Sequence, residues 1–170
     1  MRILGIDPGS SICGYGCIEI ADSGFQHPKN FRIIEVGTIK PPQKNDFLQR
    51  LLIIHQEIDS IMVRLKPEVV AIEKVFAKIN INSTIKLSEI RGAIFSSVLK
   101  HTKQVYSTSP ASVKKAITGQ GRASKDQVEL ALKSLMQFDR GNLSQDASDA
   151  MAIAVSCGLD VQQTNMKVAR

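Results

Sequence analysis

Short apolar runs alternate with longer stretches of helical period along the chain. Arg2 to Ile6 is an apolar run that ends at Asp7, and Gly14 to Ile20 and Phe31 to Ile39 have the length and residue types of two further strands. The polar segment from Asp22 to Asn30, containing Gly24 and Pro28, reads as a turn, and Pro41-Pro42 stops the third strand. A meander is the simplest connection of the three. From Asp46 to Leu65, the residues Phe47, Leu51, Ile54, Ile58, Ile61 and Leu65 recur at steps of four and three, which predicts one amphipathic helix ended by Lys66-Pro67. Val69-Val70-Ala71-Ile72 is then apolar without alternation, the pattern of a strand covered on both faces, and it ends at Glu73.

Beyond Glu73 the helical period dominates. Ser83 to Leu99 carries Leu87, Ile90, Ile94 and Val98 on one face, and Gln104 to Tyr106 has room for a short fifth strand. Ser109-Pro110 is a cap followed by proline at the first helical position, and Ser124 with Gln127 forms a capping box ahead of Val128, Leu132 and Leu135. Ser144 caps a last helix from Gln145 to about Leu159. Strands first, then helices alternating with later strands, predict an α/β fold with a mixed sheet. With no internal repeat or low-complexity segment, residues 1–160 read as one domain and 161–170 as a frayed polar tail.

The composition fits this picture: 170 residues, 43% hydrophobic and 22% charged, suffice for one compact core. No uncharged run approaches the ~18 residues of a membrane-spanning helix, and Asp7 interrupts the apolar start that a secretion signal would need. The expected location is the cytoplasm, away from membranes. Cys13, Cys17 and Cys157 are odd in number, lack C-x-x-C spacing and sit among small or apolar neighbours, as reduced core residues do. His27, His55 and His101 stand in polar or helical contexts that give no metal-ligand pattern.

The candidate chemistry lies in the carboxylates. Asp7 and Glu73 are each the first charge after a buried-looking strand, so each stands at a strand's carboxyl end, where open α/β sheets bind their ligands. Asp146 and Asp149 are three apart on the last helix, on a stripe that continues through Ile153 toward the core. Singly, each acid has a bland reading: Asp146 at a helix N-terminus, Asp149 solvated, Asp7 capping the turn Pro8-Gly9-Ser10. Gathered together, they repel by about 4 kcal/mol per pair at ~4 Å and an effective dielectric near 20, so protons or a divalent cation must compensate. Oxygen donors without Cys or His favour Mg²⁺ or Mn²⁺, and such a cluster can hold two ions and hydrolyse a phosphodiester.

The formal charge of +6 is concentrated between Lys100 and Lys133. Seven basic residues, Lys100, Lys103, Lys114, Lys115, Arg122, Lys125 and Lys133, face two acids between Lys100 and Lys133. They suit either a solvated helix surface or a phosphate-backbone contact, with Lys114 and Lys125 flanking the glycine-containing segment Thr118-Gly119-Gln120-Gly121. Phe76, just past Glu73, is either a core residue or a platform on which an unpaired base stacks.

Taken together, Gly5-Ile6-Asp7-Pro8-Gly9, Gly14-Tyr15-Gly16, Ala71-Ile72-Glu73-Lys74-Val75-Phe76, Arg91-Gly92 and Asp146-Ala147-Ser148-Asp149-Ala150 resemble the RuvC family of Holliday-junction resolvases. The likeness runs from about Met1 to Cys157. It implies a ribonuclease-H-like fold, a mixed five-stranded sheet flanked by helices, and an endonuclease that nicks four-way junction DNA in paired strands of like polarity. It further implies Asp7, Glu73, Asp146 and Asp149 as metal-binding catalytic acids with Mg²⁺, two ions to a site, and Lys114, Lys125 and Phe76 as DNA contacts. Its other implications are a homodimer, with the Ser83 to Leu99 helix in the interface region, and cooperation with a junction-binding branch-migration motor. Two alternatives stand beside it: a nuclease of this fold acting on another nucleic acid, and an actin-like nucleotide-binding protein, whose phosphate hairpin Ile6-Asp7-Pro8-Gly9-Ser10 would also suit. Against the second, actin-like proteins hold nucleotide between two such domains, and this chain has length for one.

Overall fold

The structure is a computed structural model that describes residues 1–20, 31–75, 81–136 and 143–168, with side chains as far as 161. Phe76, His27 and the expected turn between the second and third strands lie outside the described residues.

Five strands, β1 (Arg2–Asp7), β2 (Cys13–Ile20), β3 (Phe31–Ile39), β4 (Val69–Glu73) and β5 (Val105–Thr108), form one sheet in the order β3-β2-β1-β4-β5. The meander β1-β2-β3 is antiparallel, whereas β4 and β5 run parallel to β1, so the sheet is mixed as expected. The helices are α1 (Phe47–Leu65), α2 (Ile81–Val98), α3 (Pro110–Thr118), α4 (Lys125–Met136) and α5 (Gln145–Val168).

Side chains alternate across the sheet and build a core on each face. Ile3, Ile18, Val69 and Ala71 meet Met151, Ala154 and Val155 of α5, with Val113 and Leu132 from α3 and α4. Leu4, Ile6, Val70 and Ile72 point the other way, against Ile54, Ile58 and Met62 of α1 and Ile90 and Ile94 of α2. The unbroken apolar run of β4 thus reflects burial on both sides.

The helix ends follow the sequence signals. Asp46 accepts a hydrogen bond from the Gln49 N–H at 2.8 Å to start α1, and Lys66, in the left-handed region at φ 48°, closes it. Ser109 Oγ accepts from the Ser112 N–H at 3.1 Å ahead of Pro110. The capping box of α4 is reciprocal: the Gln127 N–H donates to Ser124 Oγ at 3.2 Å, and the Ser124 N–H donates to Gln127 Oε1 at 2.8 Å. The α5 backbone runs on to Val168, past the end expected near Leu159, since no proline follows to stop it.

Three glycines set how closely α5 lies on the sheet. A Cβ on Gly5 would stand 2.3 Å from the Ala150 carbonyl oxygen, one on Gly14 2.0 Å from the Asp146 carbonyl oxygen, and one on Gly16 3.0 Å from Met151 Cα. Only bare backbone fits there. This contact brings the first turn of α5 down onto β2 beside the end of β1.

Candidate active site

The register of β1 and β4 pairs Ile6 with Ile72, so Asp7 and Glu73 end neighbouring parallel strands side by side at the carboxyl edge of the sheet. On the other flank of β1, Asp7 pairs with Gly14, and Gly14 carries the backbone of Asp146. The antiparallel neighbour therefore delivers the helix terminus to the same edge, and Asp149 follows one turn along α5.

Electrostatics reports the convergence. The Asp7 carboxyl is pushed from an ordinary 3.8 up to about 7, first by burial, then by the negative charges of Glu73, Asp149 and Asp146 and by a side-chain hydrogen bond with Glu73. All three other predicted acids act on this one group. Asp149 is more open, with 40% of its side chain exposed; it accepts a hydrogen bond from Gln145 Nε2 at 3.1 Å and pairs with Lys125 Nζ at 3.4 Å.

A cleft of about 290 Å³ opens beside them, its wall including Glu73, Lys114, Lys125, Gln145, Ser148 and Asp149. Both lysines singled out in the sequence thus face the same hollow as two of the acids, while Asp7 and Asp146 are not part of that wall. Among the described residues, no three His, Cys, Asp or Glu side chains are drawn together tightly enough to form a closed cation cage. The acids are neighbours whose mutual repulsion holds the Asp7 carboxyl well above the usual carboxylate range. An all-oxygen donor set carrying an excess of negative charge fits a hard divalent cation, which would offset the repulsion among the acids.

The family model described as Crossover junction endodeoxyribonuclease RuvC matches residues 3–157. The chain belongs to the RuvC family. It is 36% identical over 158 residues to the Crossover junction endodeoxyribonuclease RuvC of Chloroherpeton thalassium, covering 93% of this chain and 81% of that relative. The RuvC of Caldicellulosiruptor saccharolyticus is likewise 36% identical, over 91% of this chain and 90% of the relative. Among solved structures, T. thermophilus RuvC in complex with a Holliday junction substrate superposes with a TM-score of 0.86 at 25% identity, covering 96% of each chain. The yeast mitochondrial Holliday junction resolvase, 14% identical with a TM-score of 0.70 over 96% of this chain and 80% of its own, shares the fold. The architecture is the ribonuclease-H-like one that the sequence motifs implied.

Other candidate chemistry is absorbed by the fold of this RuvC member. Burial pushes the Cys13 thiol up to about 12, with Asp7 and Asp146 adding to the effect, and burial does the same to Cys157, so both stay protonated and inert. His55 Nδ1 lies 3.1 Å from the Ala93 carbonyl, which places its ring between α1 and α2, and His101 Nε2 lies 3.0 Å from Asp59, which ties the turn after α2 to α1. Sequence reasoning passed over Gln145, although its place four residues before Asp149 on one helix face was the available signal. No helix among the described residues is long and apolar enough to cross a membrane.

Proposed function

We propose that this protein is a Holliday-junction-resolving endonuclease whose site comprises Asp7, Glu73, Asp146 and Asp149. The observation that carries the reading is the joint action of Glu73, Asp149 and Asp146 on the half-buried Asp7, within a chain of the RuvC family. The same four residues would hold Mg²⁺, or Mn²⁺ in its place. Two such ions supply, when bound, a nucleophile at neutral pH and charge neutralisation at the leaving 3′ oxygen.

The chain's own contribution is placement. Strand ends fix Asp7 and Glu73, and the glycine-seated terminus of α5 fixes Asp146 and Asp149. Lys114 and Lys125 line the hollow at the height of Glu73 and Asp149, where a phosphate backbone approaching the acids would meet them. Lys125 pairs with Asp149 in the free protein, and a phosphate oxygen of bound DNA would compete for it. Phe76, three residues past Glu73, is assigned to stack on an unpaired base.

A homodimer suits the substrate, because a four-way junction offers two equivalent phosphodiesters to a two-fold protein. Support comes from α2, where Ile81 and Ile85 are 71% and 51% exposed, although apolar. The family likeness also supports a branch-migration motor as partner, and the cytoplasm as the place of action.

Incubation with labelled four-way junction, linear duplex and RNA–DNA hybrid in Mg²⁺ tests the reading. Paired symmetric nicks confined to the junction are expected, and equal cutting of all three substrates would overturn it. Lys114→Ala and Lys125→Ala should each slow junction cleavage about tenfold with the fold intact. Removing one lysine–phosphate pairing should also reduce the slope of log affinity against log salt by about 0.9. Unchanged rate and slope in both variants would return the lysines to a solvated surface.

A further inference from the structure

Arg91 lies on α2, outside the acid cluster, and its guanidinium is committed on three sides. Its Nε–H donates to the Glu73 backbone carbonyl at 3.0 Å, its Nη2 donates to Ser107 Oγ on β5, and its plane lies over the Phe95 ring, 4.5 Å from the centroid. The next backbone amide after that carbonyl is also held: the Lys74 N–H donates to the Thr108 carbonyl at 2.8 Å. One peptide plane, that joining Glu73 to Lys74, is therefore gripped at its oxygen by α2 and at its nitrogen by β5.

The location of this grip matters because β4 stops there. The register with β1 ends at Ile6 and Ile72, so the ladder on that side does not reach Glu73. Without Arg91, that peptide plane would keep its bond to β5 and lose the one from α2, and the end of β4 that carries Glu73 beside Asp7 would be braced from one flank fewer. A guanidinium suits the task because it offers a fork of donors and a flat face for the ring at the same time, whereas an ammonium offers neither geometry.

We infer that Arg91 is a positioning residue of the nuclease site, which locks the Glu73–Lys74 peptide from α2 and thereby fixes the Glu73 carboxylate beside Asp7. The inference rests on the assignment of Glu73 to the site. Side chains that orient a metal-binding group from behind commonly contribute 10- to 100-fold in metal affinity or activity.

The test compares wild type, Arg91→Lys and Arg91→Ala by three readouts: single-turnover junction cleavage in saturating Mg²⁺, junction affinity without metal, and the Mn²⁺ concentration that gives half the maximal thermal shift. For Arg91→Ala, cleavage at saturation should fall by roughly 10- to 100-fold and the Mn²⁺ midpoint should rise about tenfold, with junction affinity within about twofold of wild type. Arg91→Lys should fall between the two, and millimolar guanidinium should restore part of the Arg91→Ala rate. A wild-type rate and Mn²⁺ midpoint in Arg91→Ala would overturn the inference, as would weakened junction affinity with an unchanged saturated rate, the mark of a direct DNA contact. Should Arg91→Ala not fold, Arg91→Lys decides on the same readouts: an unchanged rate and midpoint refute the role. If wild type cuts no junction, the resolvase reading fails, while the Mn²⁺ midpoints of wild type and variants still show whether Arg91 aims Glu73.

Discussion

Asp7→Asn should abolish junction cleavage and, in metal-free buffer at pH 8, melt at a higher temperature than wild type. The Asp7 carboxyl titrates near 7 in the fold against 3.8 ordinarily. Between those values the folded state holds a proton that the unfolded chain has released, so stability falls as pH rises, by about 1.4 kcal/mol per pH unit. The loss is complete above pH 7 and absent below about pH 4, with a ceiling near 4 kcal/mol. Asparagine keeps the shape and cannot ionise. Allowing for relaxation of the neighbouring acids, about 2 kcal/mol should be recovered at pH 8, roughly 4 to 8 °C in a domain of this size. Mg²⁺ or Mn²⁺ should reverse the order, stabilising wild type far more than the variant. Thermal melts at pH 5 and pH 8, with and without metal, check all of this. Equal melting of the two proteins at pH 8 would show that the acids do not burden the fold.

Gly14→Ala should disable the enzyme although it removes none of the four acids. Its new methyl would fall 2.0 Å from the Asp146 carbonyl oxygen, a backbone atom that cannot swing aside, so the start of α5 must lift or the strand must bend. Overpacking of this kind costs about 1 to 3 kcal/mol, and displacement of reacting groups by about 1 Å can cost 100-fold in rate. We expect a folded protein with a lower Tm, cleavage reduced at least about 100-fold, and a diminished thermal response to Mn²⁺. Cleavage at the wild-type rate would mean that the close seating of α5 is dispensable to the site.

Much of this was legible in the sequence because the signals were local. Hydrophobic period separated strands from helices, and the caps at Ser109 and Ser124 marked helix starts that the hydrogen bonds confirm. Asp7 and Glu73 stood out because a charge directly after a buried strand has one natural place, the carboxyl edge of the sheet. The rest depends on tertiary geometry. A glycine within a strand weakly signals close approach, and nothing in Gly14 names Asp146 as the backbone it admits. A lone arginine within an amphipathic helix likewise does not announce that its partner is a carbonyl on β4. The start of α2 at Ile81 also escaped the pattern, because Ile81 and Ile85 belong to no buried stripe.

The acid pair on α5 and the acid on β1 lie far apart along the chain, and the seat that Gly14 offers the Asp146 backbone brings them to one edge. A ribosome that has released only β1 to α4 has produced a sheet with half its acids and no seated helix. The four-acid site is complete only once α5 has docked on the sheet.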